Sequence, residues 1–340
     1  MDNLTKDFET FAKRSKRKRW LKIIGLIVVI SILVVFAVLK GISWYSNNAS
    51  STYQTTVKNA NLMNEIAAPN ISIKNQIEES DGLFSKTLHS DTTKNLDGIE
   101  VPWTPQDLNV DLTDVKGNNS LYTKGSDAYT QKTSQKQALF FPSKITVPEN
   151  FDNITSSWAK HPTHEAASLS ALTNQVAEVA VSFDKPYSYA EIQTMIPKNL
   201  LINWYEVNLD VTKSGTPTIV YGLSADSKGD SIAADGTNFV SANTTTGLLT
   251  ESDYKNFLSA LTNSQQPPIM QNVNGVNSGN YPNYAKHYAS DYPTLAKAKF
   301  SGVILTGRTQ NFATLDKEKW VYATNVGLTA PIMPWDKLTK

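Results

Sequence analysis

Residues 20–45 read WLKIIGLIVVISILVVFAVLKGISWY, and the reading of this stretch organises the rest of the chain. From Ile23 to Leu39 no residue is charged, and Ser31 is the only polar side chain. At 1.5 Å of rise per residue, a helix over this run spans about 25 Å, and its flanks extend it to the roughly 30 Å of a bilayer's apolar layer. Trp20 at one end, and Trp44 and Tyr45 at the other, stand where amphipathic rings settle among headgroups. A helix buried in a soluble core rarely runs so far without a polar face. The expectation is a transmembrane helix over 20–45.

The flanks give its direction. Lys13, Arg14, Lys16, Arg17, Lys18, Arg19 and Lys22 precede or open the run, and after it only Lys40 is basic before Lys58. The positive-inside rule then keeps the N-terminus in the cytoplasm and places everything after Tyr45 outside. A cleaved signal peptide would have a shorter apolar core and a small-residue cleavage site, for which WYSNNASS is poor material. The net charge of +1 hides an asymmetry: residues 1–22 carry +5 and the remainder −4. The basic cluster predicts contact with anionic membrane lipids. No basic patch recurs in the body of the chain, which argues against direct nucleic-acid binding.

There is no cysteine among the 340 residues, which excludes disulfides, thiolate nucleophiles and Cys-ligated metals. An external region of this size must then rely on its packed core, and its length permits one. Such economy suits the outer face of a Gram-positive cell.

Taken in order, residues 1–19 read as a cytoplasmic basic tail in which Leu4, Phe8 and Phe11 share one helical face, a candidate docking surface for a partner or a strip lying on headgroups. Residues 46–62 are polar and read as a stalk. Residues 63–150 and 165–335 read as two extracytoplasmic domains. Short strands and long loops are expected from Ser80 to Lys136, and Ala138 to Pro142 forms an apolar knot. A helix is expected over 168–175. Ala177, Val179, Val181 and Phe183 alternate with Glu178, Ala180 and Ser182, the pattern of a half-buried strand. Ser188 and Glu191 have capping-box spacing, opening a short helix that Pro197 ends. Further strands are predicted over 200–209, 218–223, 300–306 and 320–326. A helix capped by Thr250 buries Tyr254, Phe257, Leu258 and Leu261, and 264–293 reads as a surface excursion. Strand–short helix–strand therefore occurs twice, as a duplication or as two ordinary units, and the fold class is α+β with a mixed sheet.

The stretch VAEVAVSFDKPYSYAEIQTMIPKNLLINWYEVNL (176–209) resembles the C-terminal domain of the sigma-factor-regulator family of Gram-positive membrane proteins. The features that carry the likeness are Ser182-Phe183-Asp184-Lys185, the short helix, Pro197, and Trp204-Tyr205-Glu206-Val207. SGVILTGRTQNFATL and the strand through Asn325-Val326-Gly327 are similar to that domain's closing segment. The basic segment, the apolar run, Ala68-Pro69-Asn70 and Leu139-Phe140-Phe141-Pro142 resemble its N-terminal domain. The resemblance implies a membrane-anchored, anti-sigma-factor-like regulator of an extracytoplasmic-function sigma factor, sensing outside and acting inside. A tail of 19 residues buries far less than the ~800 Å² per partner of a stable complex. Either a partner membrane protein completes the sequestering unit, or this chain senses without binding the sigma factor itself.

No residue pattern demands catalysis. His161-Pro-Thr-His164-Glu165 lacks the order and helical spacing of a zinc protease, no G-x-S-x-G occurs, and Asp184-Lys185 precedes Pro186 as a turn would. Neither a metal nor a cofactor is expected. The alternative reading is an anchored binding module or receptor for cell-wall material or a peptide, using exposed members of Trp103, Trp158, Trp204, Trp320 and Trp335.

Overall fold

The computed structural model describes residues 2–82, 85–111, 115–117, 136–141, 162–207, 220–225, 227–232, 238–242, 246–263 and 281–340. The chain divides into two compact units, Met1–Thr52 and Tyr53–Lys340. Helix α1 (Asp2–Ala67) supplies all of the first unit and the opening of the second. No proline interrupts it before Pro69, and Asn70 then takes a left-handed conformation (φ 55°) that stops the helix.

Within the first unit, the side chains from Leu21 to Leu39 face outward on every side of the helix. The helix is long and apolar enough to cross a membrane. Trp20 and Trp44 are exposed at the two ends of the apolar run, Tyr45 is partly covered, and Lys13, Arg14, Lys16, Arg17, Lys18, Arg19 and Lys22 are exposed. Phe11 is 79% exposed. The side chains of Leu4 and Phe8 lie outside the described part.

The second unit begins inside the stretch expected to be a polar stalk. Residues 53–67 are helical, with Tyr53 and Val57 packed on Leu88, Leu108 and Val110, while Met63, Ile66 and Ala67 enter the main core. The apolar residues recur at helical spacing, so the segment folds onto the domain wherever polar neighbours point away.

An antiparallel sheet follows, of β1 (Ser72–Ser80), β2 (Lys86–Leu96), β3 (Ile99–Pro102), β4 (Gln106–Val110) and β5 (Val115–Gly117). Its order is β1-β2-β4-β5, with β3 on the far end of β2. Asp97 and Gly98, both at positive φ (56° and 96°), make the two-residue β2–β3 turn, the backbone geometry that matches strand twist.

The second sheet contains β6 (Gln175–Ser188), β7 (Leu201–Val207), β8 (Gly222–Ser224), β11 (Lys299–Arg308) and β12 (Val321–Pro331), ordered β12-β6-β11-β7-β8. Between them come α2 (Tyr189–Met195), a separate hairpin of β9 (Ser227–Ile232) and β10 (Asn238–Ala242), α3 (Glu251–Asn263) and α4 (Tyr281–Asp291). The two strand–helix–strand units are β6-α2-β7 and β11-β12, the latter joined by 3₁₀ turns at Thr309–Phe312 and Leu315–Lys317. Each unit's strands run parallel, yet each pair is split by a strand of the other unit. Every described neighbour in the sheet is therefore antiparallel, the interleaved split β-α-β arrangement. This is how an expected mixed sheet becomes an antiparallel one while the α+β class holds.

Ser188 accepts from the Glu191 amide and Glu191 bonds back to Ser188, a complete capping box on α2. Thr250 and Asp253 make the same reciprocal pair at the start of α3, which buries Tyr254, Phe257, Ala260 and Leu261. Other expectations shift. The helix expected over 168–175 is a 3₁₀ turn at Ala166–Ala171, because β6 has begun by Gln175. Strand β6 does not end at Asp184-Lys185 but runs to Ser188. A register shift opposite Phe300/Gly302 leaves Pro186 out of the ladder, where its missing N–H costs nothing. Within the expected excursion, 281–291 is helical and buries Ala285 and Tyr288, while 264–280 lie outside the described residues. Of the strand expected over 218–223, residues 218 and 219 also lie outside them, and the described part is strand only from Gly222, in β8.

Candidate functional site: a buried polar seam between the two sheets

Strand β6 is covered on both faces rather than half-buried. Ala177, Val179, Val181 and Phe183 enter the main core, and the alternate residues Glu178, Ala180 and Ser182 are equally buried. The second face is covered by two pieces of chain. The Ala138–Phe141 stretch, expected within the 63–150 domain, lies across it: the Leu139 amide donates to Asn325 at 3.1 Å and the Phe141 amide to Ser182 Oγ at 2.7 Å. The far end of β2 and its hairpin turn supply the rest, with Leu96 packed on Val176 and Leu328.

Polar groups from both sheets meet in this seam. Lys94 Nζ on β2 lies 2.7 Å and 3.0 Å from the two carboxylate oxygens of Glu178 on β6, and neither side chain is exposed at all. Glu178 also accepts from Asn70 Nδ2 at 2.8 Å and from the Leu328 amide at 3.4 Å, so both of its oxygens are bonded. Trp103 places its ring 4.3 Å from the Lys94 ammonium, a cation–π contact. Burial pushes the Lys94 pKa down, and the Glu178 carboxylate works against that shift. Gly327 sits beside the pair, where a Cβ would strike Glu178 Oε2.

A second chain of bonds runs parallel. The β7–β11 register slips between Ile304 and Leu305, leaving Asn203 unpaired in the ladder and free to reach across. Asn203 Nδ2 donates to Asn70 Oδ1 at 3.0 Å and to the Asn95 carbonyl at 2.9 Å, while its Oδ1 accepts from Thr306 Oγ1 at 2.7 Å. Thr306 in turn accepts from the Asp97 amide at 3.0 Å. The Asp97 carboxylate accepts from the Lys340 amide at 2.9 Å, and burial pushes its pKa up to about 6.

Chemically, this arrangement holds rather than reacts. A desolvated ion pair with its lone pairs filled has no open position for a substrate, but it couples two sheets strongly. Separating them exposes an ammonium and a carboxylate that have lost each other. The His161–Glu165 stretch is occupied in a similar way. Glu165 accepts from Lys136 at 2.8 Å and from the Val326 amide at 2.8 Å, and His164 Nδ1 is 3.6 Å from Asp316. His161 lies outside the described residues. Among those described, no cluster of three His, Asp or Glu could hold a metal.

The motif positions 182–207 hold the sheet together. Phe183 is buried edge-on to Tyr187 and Trp320. The Asp184 amide donates to the Trp320 carbonyl at 3.0 Å, and Lys185 lies 5.3 Å from the Tyr187 ring. Pro197 gives its carbonyl to the Leu200 amide, and the Val207 amide donates to the Tyr221 carbonyl. Trp204 is wholly buried against Phe140, and Tyr205 donates to the Gly247 carbonyl at 2.6 Å. Lys94, Glu178, Asn203 and Thr306 were invisible as a site in the sequence. Their one signal is a lysine and a glutamate inside strands whose neighbours are buried.

The same chain segments correspond to known sequence families. Residues 9–101 match the sigma factor regulator N-terminal domain, and residues 169–328 match the sigma factor regulator C-terminal domain. No curated protein and no solved structure matched the chain. The first match runs through the basic segment, the apolar helix and β1–β3; the second takes in β6 through most of β12. The seam therefore joins one matched domain to the other, Lys94 standing in the first and Glu178 in the second. With the two matches covering well over half of its length, the chain belongs to the sigma-factor-regulator family.

Proposed function

We propose that this regulator is a single-pass membrane protein with its N-terminus in the cytoplasm, acting on an extracytoplasmic-function sigma factor according to the state of the outer region. The observation that carries the reading is the extent of the N-terminal match, which includes the basic and apolar segments together with β1–β3 of the first sheet. The membrane segment is on this account part of the regulatory domain. The outer region senses through the fold described above, and its effect inside passes through α1. Leu4, Phe8 and Phe11 are the residues that would meet the sigma factor or a partner membrane protein, and the basic residues from Lys13 to Lys22 would lie against anionic headgroups. The family is regulatory, and the proposal assigns no catalytic step.

Co-expression with the candidate sigma factor and a promoter reporter tests this. The full chain is expected to repress the reporter, and replacing residues 1–19 by an unrelated basic tail is expected to relieve repression. Repression that survives the replacement would contradict the assignment of the tail. A reporter indifferent to the full chain would contradict the proposal as a whole.

A second reading, an anchored binding module, draws support from Trp335. The turn from Met333 to Asp336 is pinned by the Met333 amide on Asp336 Oδ2 at 2.7 Å, yet Trp335 is 75% exposed. A rigidly held, solvent-facing indole is the usual anchor of a binding surface. Loss of wall-fragment binding on Trp335→Ala, with repression intact, would separate the two roles.

A further inference from the structure

The ion-paired seam has no place for an outside substrate, but three of its own side chains are set for a reaction with one another. Asn70 Nδ2 and Lys94 Nζ bond to the same carboxylate oxygen, Oε1 of Glu178, at 2.8 Å and 3.0 Å. A primary amide and a primary amine are thus held side by side, with one proton carrier touching both. The amide is oriented as well as placed. Its nitrogen faces two acceptors, Glu178 and the Asn95 carbonyl at 3.0 Å, and its oxygen accepts from Asn203 Nδ2 at 3.0 Å. That donor draws electron density from the amide carbon, as the donors of an oxyanion hole do. The Trp103 ring closes another side of the Lys94 nitrogen at 4.3 Å. Asn70, Lys94, Glu178 and Asn203 are all buried, so water does not compete for the carbon.

We propose that Lys94 and Asn70 join their side chains in an isopeptide bond, formed without an external enzyme or cofactor and with Glu178 as the acid–base group. Glu178 takes one proton from the Lys94 ammonium, and the amine attacks Asn70 Cγ. Glu178 then gives that proton to the departing Nδ2 and takes the second from Nζ. The bond from Nζ to Cγ forms, the bond from Cγ to Nδ2 breaks, and one ammonia leaves. Nothing is oxidised or reduced, and the Glu178 carboxyl is left neutral in its buried place.

Desolvation drives the first step. Burial, which lowers the Lys94 pKa, favours the uncharged amine that the attack needs. Forming the bond also replaces a buried ion pair by an amide and a neutral carboxyl, neither of which carries a charge to desolvate. The two joined residues lie in the N-terminal match and Glu178 in the C-terminal one, so the bond forms only after the two domains have docked. It ties the end of α1 to β2 by closing the loop from 70 to 94, the service a disulfide gives, in a chain without cysteine. The bond is a property of residues 53–340 and stands independently of the sigma-factor reading.

Mass spectrometry of the full chain, purified from membranes, denatured and digested with trypsin, tests this. Trypsin should leave the chain uncut after Lys94, and peptide 87–116 should appear joined to peptide 59–74 at their summed mass less one ammonia. Fragment spectra should place the branch on Lys94 and Asn70, which separates the bond from a succinimide at Asn70, the other route by which that residue loses ammonia. In Glu178→Gln, which keeps an acceptor for Asn70, the joined pair should be lost and trypsin should cut after Lys94. Wild-type protein cut after Lys94, with both peptides separate, refutes the proposal without any variant having to fold. A joined pair that persists in Glu178→Gln overturns the role of Glu178.

Discussion

Lys94 and Glu178 stand 84 positions apart in the chain and meet at 2.7 Å, with no solvent on either side chain. One belongs to the N-terminal regulator domain and the other to the C-terminal one, so the pair ties the two together at the least accessible point of their contact. Around it the seam is filled by Asn70, Asn203, Thr306 and Trp103.

Breaking this pair one side at a time should be far worse than removing it whole. Lys94→Met or Glu178→Gln leaves a buried group without its counter-charge or donor, and each is expected to cost about 3–5 kcal/mol. Lys94→Met combined with Glu178→Gln should cost less than the sum of the two single changes, because no unpaired charge stays buried and the Gln oxygen can still accept from Asn70. Urea unfolding of Lys94→Met, Glu178→Gln and the double variant that combines those two closes the cycle and gives the coupling.

Glycine is required at two positions beside the seam. A Cβ on Gly327 meets Glu178, and one on Gly222 meets the Tyr205 carbonyl and the Trp204 ring. Neither backbone nor indole can yield cheaply, so Gly222→Ala is expected to destabilise by about 1–3 kcal/mol or more. Gly25 and Gly41, with open space around them, serve as controls in the same thermal melts.

The α2 cap is a milder test of local folding. Ser188→Ala removes the side-chain acceptor for the Glu191 amide and should cost about 1 kcal/mol. Glu191, whose pKa is lowered by its bonds to Ser188, should titrate higher in that variant by NMR.

The surface of the first sheet carries its own titration. His89 on β2 lies 2.7 Å from Asp107 on β4 and 3.5 Å from Glu79 on β1, and the Asp107 hydrogen bond is the main cause raising its pKa. The charged imidazole is thus favoured by folding. Its contribution is present below pH 6.5 and is lost as pH rises through the higher folded-state pKa. A proton titration by NMR should place the His89 midpoint above 6.5, and Asp107→Asn should lower it.

Several carboxyls push the fold of residues 53–340 the same way. Burial raises Glu65 to about 7, Asp97 to about 6 and Glu206 to about 8, the last partly offset by a bond from Ser301. Each binds its proton more tightly when folded, so stability should fall as pH climbs from about 4 towards 8. The urea midpoint at pH 5 is expected to exceed that at pH 8.

What the sequence disclosed was local chemistry. The unbroken apolar run, the Ser188/Glu191 box, the Thr250 start of α3 and the alternation from Ala177 to Phe183 each lie within a few residues of their structural consequence. Short strands are expected between Ser80 and Lys136, but an 11-residue β2 with a buried face is not legible there, because KTLHSDTTKNL is polar. Its Thr92, Lys94 and Asn95 are buried by partners that lie elsewhere in the chain. The same holds for the seam: a buried lysine is legible only when its glutamate is found, and no spacing rule links 94 to 178. The helical stretch from Tyr53 to Ala67 was legible in principle. Tyr53, Val57, Ala60 and Met63 recur at helical spacing, a signal masked by the asparagines and threonines between them.

The central claim is that α1 crosses a membrane with the sheets beyond it. Because the chain has no cysteine, single cysteines can be placed without interference. Lys13→Cys and Thr314→Cys, both at exposed positions, would be challenged with a membrane-impermeant maleimide on intact cells. The account predicts labelling at 314 at once, and at 13 only after permeabilisation; immediate labelling at 13 with protection at 314 would contradict it.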